Sequence, residues 1–568
     1  MARNQDLVVV SKMPVPKMYR AQIEERCSLQ YAAEDKDRKQ WLDEWVNPKQ
    51  DGKSYVHSRP ILKKDKSSIL YPGSKLRLKE DTSIYCLEIK FDGRIASNCG
   101  QDSILRPVLG VNGIPYIPGS SIKGLFRRAC NHQQKIKYCG DSDSPGILRF
   151  HGAYPIDDWA GKKILSGNQG ESPKTHYLIE DILHPQQKRQ VESQDSSSAC
   201  VLISFYKPTM IFEFSSNTKD TENTKIDWQE VETILTTAIS QGLGGKTSSG
   251  YGFSSSYIPK YAITDNPSYD RAIHIELEGT GVSSKLLSGE PEFRPNMFKA
   301  VLRGHVNRLL SGICDNKSKI QEVTDDLFGS TNSPGNLQIY WQQIGKVSFD
   351  TFEKRKNNPT YKSRGILHIS APKSSQIEFL KLVLQFAYIM GGFGKTWRRV
   401  SHDIFYASYL KQDKKFDIGC HWISPISDSN SINVATKEDL TLFLDRLHQS
   451  CHQYLSISSA EFIKKWREAW HPKNVAVYSQ VVSDSKAVIL FHQEPFKYTP
   501  AIGGRKKTGA PEFVSSVWHR MLPIENKQYL EIVTIFNGDY LEWQNQQEAF
   551  IKSLRDKGLE LTWGNNTH

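Results

Sequence analysis

The chain has 568 residues, of which 38% are hydrophobic, including 12 Trp, 24 Tyr and 24 Phe. That is too long for one compact core and predicts roughly two to four domains. Lys and Arg outnumber Asp and Glu by 74 to 62, a net charge of +12, which favours a polyanion partner wherever the cations cluster beside glycine loops. The nine cysteines include no Cys-x-x-Cys pair, which argues against a disulfide framework and fits a reducing compartment. No apolar run reaches the length of a membrane span and no signal-peptide pattern is visible, so a cytoplasmic protein is expected.

Residues 1–80 read as a surface extension, with prolines at Pro14 and Pro16, charged runs at 34–39 and 63–66, and a short helix near 41–45. From residue 83 apolar and polar positions alternate through Ile84, Cys86, Ile89 and Phe91, which predicts a strand. A loop over 96–112 leads to the first helix. Pro118 and Gly119 keep the chain extended before it, and Ser120 or Ser121 caps it. Ile122, Leu125, Phe126 and Ala129 share one face, with Lys123, Arg127 and Arg128 to the side or opposite. The Gly/Pro-rich run 140–155 and the serine-rich insert 193–198 read as hairpin or loop excursions.

A second helix is predicted over 228–239, apolar at Val231, Ile234, Leu235, Ala238 and Ile239. It feeds a glycine loop that should give way to a strand over 253–258. A turn-rich linker at 264–270 divides the chain. The order then repeats: strand 272–277, loop, helix 297–310, helix 377–390, glycine loop, then Phe405 and Tyr406. Helices at 438–451 and 461–470 and strands through 487–491 read as the completion of the second half. Strand, helix, strands, helix, strand is the order of a ferredoxin-like (RRM-like) α+β unit. Here it occurs in tandem with long insertions, over 81–263 and over 271–568 with a C-terminal elaboration.

Each half pairs a proline-led helix start with a basic glycine loop. In the first half these are 117–128, with Ser120, Ser121, Lys123, Arg127 and Arg128, and 242–252, with Gly242, Gly244, Gly245 and Lys246. In the second they are 293–303, with Lys299 and Arg303, and 391–399, with Gly391, Gly392, Gly394, Lys395, Arg398 and Arg399. Glycines let a backbone approach a phosphate and the cations neutralise it, so these residues are the candidate phosphate contacts.

Gly245-Lys246-Thr247 and Gly394-Lys395-Thr396 look like the end of a Walker phosphate loop, but Ser240 and Ile389 stand where its first glycine belongs. Both strings also follow helices, whereas that motif follows a strand. Cys130, His132, Cys139 and His151 have no common zinc spacing and read as buried cysteines with ordinary histidines.

The string 114–124, Ile-Pro-Tyr-Ile-Pro-Gly-Ser-Ser-Ile-Lys-Gly, resembles a hallmark of the repeat-associated mysterious protein (RAMP) superfamily. It is most like backbone subunits of type III CRISPR effector complexes. The glycine-rich basic loop in each half is similar to that superfamily's other signature. A third likeness joins Asp326-Leu327-Phe328-Gly329 to 334–338, with a weaker counterpart at Cys139-Gly140 and 145–149. The basic segment 504–511 suits an RNA-facing loop.

The resemblance implies two fused RAMP modules that bind a guide RNA, with target RNA, other RAMP subunits and the large subunit of the complex as partners. It implies a thumb hairpin that wedges into the guide–target duplex, for which 176–183 is the candidate. It also implies an aspartate in the loop before the Pro-Gly-Ser-Ser helix that cuts target RNA with a divalent metal, Mg2+. The matching residue is Asp102, as both catalytic residue and metal ligand. The second half has no aspartate in 280–292, only Glu290 and Glu292, and is expected to bind without cutting. Two alternatives stay open. One is a non-catalytic RNA-binding scaffold. The other is a stand-alone endonuclease that processes CRISPR transcripts through His132, His151 or His176.

Overall fold

The computed structural model describes residues 49–50, 53–54, 84–97, 99–101, 104–109, 115–161, 163–165, 174–183, 191–192, 200–216, 226–247, 250–262, 272–286, 289–330, 333, 335–350, 359–411, 418–424, 434–457, 463–497, 499, 502, 515, 517–537 and 544–564. The helix expected at 41–45, the linker 264–270, the insert 193–198, the basic segment 504–511 and Asp102 itself lie outside the described residues. The chain divides into two compact units, one built from 1–183, 199–260 and 286–290 and the other from 184–198, 261–285 and 291–568.

In chain order the first unit contains β1 (Ile84–Lys90), β2 (Arg94–Ile95), β3 (Cys99–Gln101), β4 (Ile104–Arg106), β5 (Val108–Leu109), β6 (Pro115–Pro118) and α1 (Gly119–Ala129). It continues through β7 (Leu148–Pro155), β8 (Lys163–Leu165), β9 (Lys174–His176), β10 (Glu180–Leu183), β11 (Cys200–Ile203), β12 (Phe205–Tyr206), β13 (Thr209–Ser216) and α2 (Trp228–Ser240). Its main sheet is antiparallel, in the order β1-β13-β7-β6-β5. A second sheet runs β10-β11-β4-β3. The apolar faces of α1 (Ile122, Leu125, Phe126) and α2 (Val231, Ile234, Leu235) close on Phe212, Phe214 and Ala153 of the main sheet. Packing of these amphipathic faces is what stabilises the helices.

Several local expectations are corrected here. The Gly/Pro-rich run near 150 is not an excursion: β7 is an interior strand between β13 and β6. Gly152, at φ 120°, sits at the register shift where β7 bulges, with His151 as the extra residue opposite the Glu213–Phe214 step of β13. The loop expected over 96–112 contains β3, β4 and β5. The strand expected at 253–258 does not form. That segment instead follows the chain after β1 through Ser254 Oγ to the Lys90 carbonyl (2.5 Å) and the Ser255 amide to Asp92 (2.6 Å). In the thumb candidate Tyr177, Ile179 and Asp181 are buried, so these three side chains are not available as a wedge.

The second unit contains β14 (Ala272–Val282), β15 (Ser284–Lys285), β16 (Pro291–Glu292), α3 (Asn296–Ser311), α4 (Lys317–Phe328), β17 (Gln338–Asp350), β18 (Thr360–Ser370) and α5 (Ser374–Met390). They are followed by β19 (Cys420–Ile423), α6 (Lys437–Leu455), β20 (Val475–Val482), β21 (Val517–Pro523), β22 (Tyr529–Phe536), α7 (Gln544–Asp556) and β23 (Glu560–Gly564). Its first sheet is β17-β18-β14-β19, antiparallel throughout. This is the ferredoxin-like strand order, with α3 and α5 as its two helices.

The C-terminal part has a sheet of its own, β21-β22-β20-β23. Counted along the chain, its four strands are arranged in the same order as β17-β18-β14-β19, with α7 before the last strand. No α-helix among the described residues stands between its first two strands, where a 3-10 turn at Val488–His492 replaces the strands expected at 487–491. The described part of 461–470 is not helical, and Phe405 ends a short helix, His402–Phe405, so the late strand of this sheet is β19.

Candidate nucleic-acid interface

Pro118, with φ −57° and ψ 145°, hands the extended chain to α1, and no side chain caps the helix. Ser120 and Ser121 are exposed and cap nothing, contrary to expectation. Gly119 is required by contact: a Cβ there would lie 2.1 Å from the Phe150 carbonyl oxygen. An uncapped N-terminus presents backbone N–H groups beside two hydroxyls, an arrangement suited to an anion. Arg127 and Arg128 are exposed in the last turn, where they also complement the helix dipole, and Lys123 is half-buried.

The two glycine loops leave their helices in the same way. After α2, Gly242 (φ 96°) and Gly244 (φ 82°) flank the buried Leu243. After α5, Gly392 (φ 133°) and Gly394 (φ 100°) flank the buried Phe393. Gly245 then bridges Ala96, its amide donating to that carbonyl at 2.6 Å, and Lys395 bridges Val282 in the matching place. The structural equivalents are therefore Gly245 with Lys395 and Lys246 with Thr396. The two Gly-Lys-Thr strings are offset by one residue and are not equivalent. Several glycines are needed for protein contacts: a Cβ on Gly244 would meet the Ala96 oxygen at 2.4 Å, and one on Gly392 the Cys420 sulfur at 2.9 Å. Gly391 is buried against Trp397.

The basic residues fall into two groups. Lys246 is half-buried and Lys395 exposed on their loops, and Lys299 is half-buried on α3. The Lys395 amine is pushed below its usual range, first by partial desolvation and then by the nearby positive charges of Lys285 and Arg294. Arg294 also bonds Glu292 at 2.9 Å. Sequence reasoning does not single out Lys285, inside the loop 280–292, or Arg294, just past it; three cations on one loop surface is the feature that suits an anionic ligand.

The second group is structural. Arg303 ties α3 to α4 through Asp325 and the Gly329 carbonyl, both at 2.6 Å. Arg398 is buried on Glu468 at 2.9 Å. Arg399 donates to the Val517 and Ile502 carbonyls and to Ser515 Oγ. These three arginines are engaged by protein partners.

Glu290 pairs with Lys163 at 2.6 Å, and Glu292 is held by Arg294. Cys130 and Cys139 are buried neighbours, His132 is exposed, and His151 bonds Ser215 Oγ at 2.8 Å. His176 pairs with Lys163 in the β8–β9 ladder. Among the described residues no three His, Cys, Asp or Glu side chains group as metal ligands.

Residues 102–255 match the family model of the RAMP superfamily. The match spans α1, its Pro-Gly-Ser-Ser start and the first glycine loop. No curated protein matches the chain. Among solved structures it is similar to Cmr1 from Pyrococcus furiosus (14% identity, 52% of this chain and 99% of that chain, TM-score 0.36). It is also similar to a chain of the type III-B Cmr-beta complex bound to cognate target RNA (17%, 30% and 57%, TM-score 0.22). A third is Cmr6 from Pyrococcus furiosus (16%, 30% and 96%, TM-score 0.19). No described helix is long and apolar enough to cross a membrane.

Proposed function

We propose that this chain is a guide-RNA-binding backbone subunit of a type III CRISPR interference complex, and that its first RAMP unit cuts target RNA at Asp102. The observation that carries this reading is the RAMP match over 102–255, which joins the uncapped basic α1 and the glycine loop in one module. Guide phosphates would lie against Lys123, Arg127, Arg128, Lys246 and the α1 amides in the first unit. In the second they would lie against Lys395, Lys285 and Arg294. The partners are the guide, a complementary single-stranded target, other RAMP subunits and the large subunit.

A divalent cation, Mg2+, fits this chemistry. Mg2+ is commonly held by one or two carboxylates together with phosphate oxygens, and the described residues form no closed protein cage for it. Asp102 would hold the ion, which would neutralise charge at the scissile phosphate. The RNA 2′-hydroxyl would then be the nucleophile, in keeping with a module whose recognised motifs include no serine or cysteine triad. The test is incubation of the assembled complex with guide and complementary RNA, with and without Mg2+. Metal-dependent cleavage lost in Asp102→Asn supports the reading, and normal cleavage by that variant leaves a scaffold.

A further inference from the structure

In the first sheet of the second unit, Leu277, Ile339, Trp341, Leu367 and Ile369 belong to the core shared with α3 and α5. Side chains alternate along a strand, so the even-numbered positions beside them face away from those helices. There three rings form one cross-strand row. Tyr340 on β17 is paired with His368 on β18, and His368 with His274 on β14. The Tyr340 ring lies 5.9 Å from that of His368, at 29°. His368 is fully buried and His274 half-buried.

The two imidazoles meet nitrogen to nitrogen, with His274 Nδ1 2.7 Å from His368 Nδ1. On its other side, His368 Nε2 lies 3.0 Å from Gln342 Oε1. An amide oxygen only accepts, so His368 carries its proton on Nε2 and turns a bare Nδ1 lone pair toward His274. A metal-ligating histidine is held in this way, its outer nitrogen donating to an oxygen that fixes the ring. Neutral His274 can carry its proton on either nitrogen. With that proton on Nε2, two lone pairs converge on one point. Two metal–nitrogen bonds of about 2.0–2.1 Å set their nitrogens about 2.9 Å apart at a right angle and about 3.3 Å apart at the tetrahedral angle. The observed separation is nearer the first. Glu276, two positions along β14, is committed to Arg364 at 2.6 Å and adds no ligand.

We propose that His274 and His368 form a two-histidine clamp for a divalent transition-metal ion of tetragonal preference, Ni2+ or Cu2+, with water completing the coordination. The bound ion ties β14 to β18, the two central strands of the sheet. The clamp is separate from the cationic loop surface: His274 stands eight positions before Val282, the bridge partner of Lys395, about 26 Å along the strand. It therefore depends neither on RNA binding nor on Asp102.

The test is equilibrium dialysis of the full, reduced chain against NiCl2, with the bound metal counted per chain, beside urea unfolding with and without the ion. His274→Gln removes one ligand at the half-buried position. The wild type should hold one more Ni2+ than this variant, and Ni2+ should raise its urea midpoint further. Gln342→Ala keeps both ligands, frees the outer nitrogen of His368 and should weaken the site roughly tenfold. Equal Ni2+ counts in the wild type and His274→Gln would mean adventitious binding to other histidines only and would overturn the clamp. Displacement of the ion by a roughly tenfold excess of Mg2+, which seeks oxygen ligands, would overturn it too.

Discussion

Lys246 and Thr396 occupy the same backbone position in their two units, at φ 59° and 60°. Both follow a bridge residue that ties the glycine loop to the chain after the first strand. A β-branched residue is rare in this left-handed region, and Thr396 is held there by its hydroxyl, which accepts the buried Gly419 amide at 2.9 Å. Thr396→Val keeps the shape and removes that acceptor. It should cost about 1–3 kcal/mol, read as a lower midpoint in urea unfolding. An unchanged midpoint would show that the hydroxyl does not hold the turn.

The two groups of cations predict opposite phenotypes. Lys246→Ala with Lys395→Ala should weaken guide binding and flatten its salt dependence, since fewer phosphate charges are neutralised, while leaving the unfolding midpoint close to the wild type. Arg398→Ala should instead destabilise the fold by about 3–5 kcal/mol, because it breaks a buried ion pair. Titration of labelled guide RNA at several salt concentrations, beside a melting curve, separates the two. A melting loss in the lysine pair would mean that they are structural as well.

Product mapping tests the asymmetry between the units. Glu290 and Glu292 are already committed to Lys163 and Arg294. Glu290→Gln and Glu292→Gln should therefore leave the cleavage pattern unchanged, while Asp102→Asn should remove one product by orders of magnitude in rate. Loss of a product in either glutamate variant would place a second cutting site at that glutamate.

Acid should unfold the second unit in two stages. His402 is buried, and burial lowers its ring to about 4; His421 is half-buried, and desolvation, with Arg520 beside it, lowers it to about 3. Their stabilisation is present above about 6.5, the unfolded value, and is lost as pH falls toward the folded ones. Burial by itself would raise Glu468, but Arg398, Arg308 and Arg467 outweigh it and hold the carboxyl at about 2. Hydrogen bonds from His519, Ser485 and the Ala487 amide likewise outweigh burial and hold Glu531 at about 2. Their stabilisation is complete above about 4.5 and is lost as pH falls toward 2. Urea midpoints should decline gently from pH 6.5 and steeply below 4.5. His402→Phe should make the first arm shallower and leave the second unchanged, and a midpoint constant from pH 7 to 4 would contradict the assignment.

Much of this architecture is legible in short stretches of chain. α1, α2, α3 and α5 follow from apolar residues spaced at the helical period, and β1 and β14 from alternation. The glycine loops follow from residues that alone tolerate such φ values freely, and the RAMP likeness rests on short strings, the clearest of them 114–124. These features are local because neighbours along the backbone set the period, the cap and the turn.

The rest depended on partners far away in sequence. β7 looks like a loop until β13 and β6 bury it on either side, and the segment 253–258 finds no ladder to join. Arg398 and Arg399 read as surface cations until Glu468, Val517 and Ile502 claim them, and Tyr251 says nothing of the Asp181 carboxylate to which its hydroxyl donates, seventy positions earlier. The equivalence of Lys246 with Thr396 is likewise hidden beneath two matching Gly-Lys-Thr strings. The sequence by itself determined which elements this chain can form and where it is basic, since those properties reside in neighbouring residues. Only the tertiary structure decided which cations remain at the surface, because a buried carboxylate or carbonyl claims an arginine by proximity in space rather than in sequence.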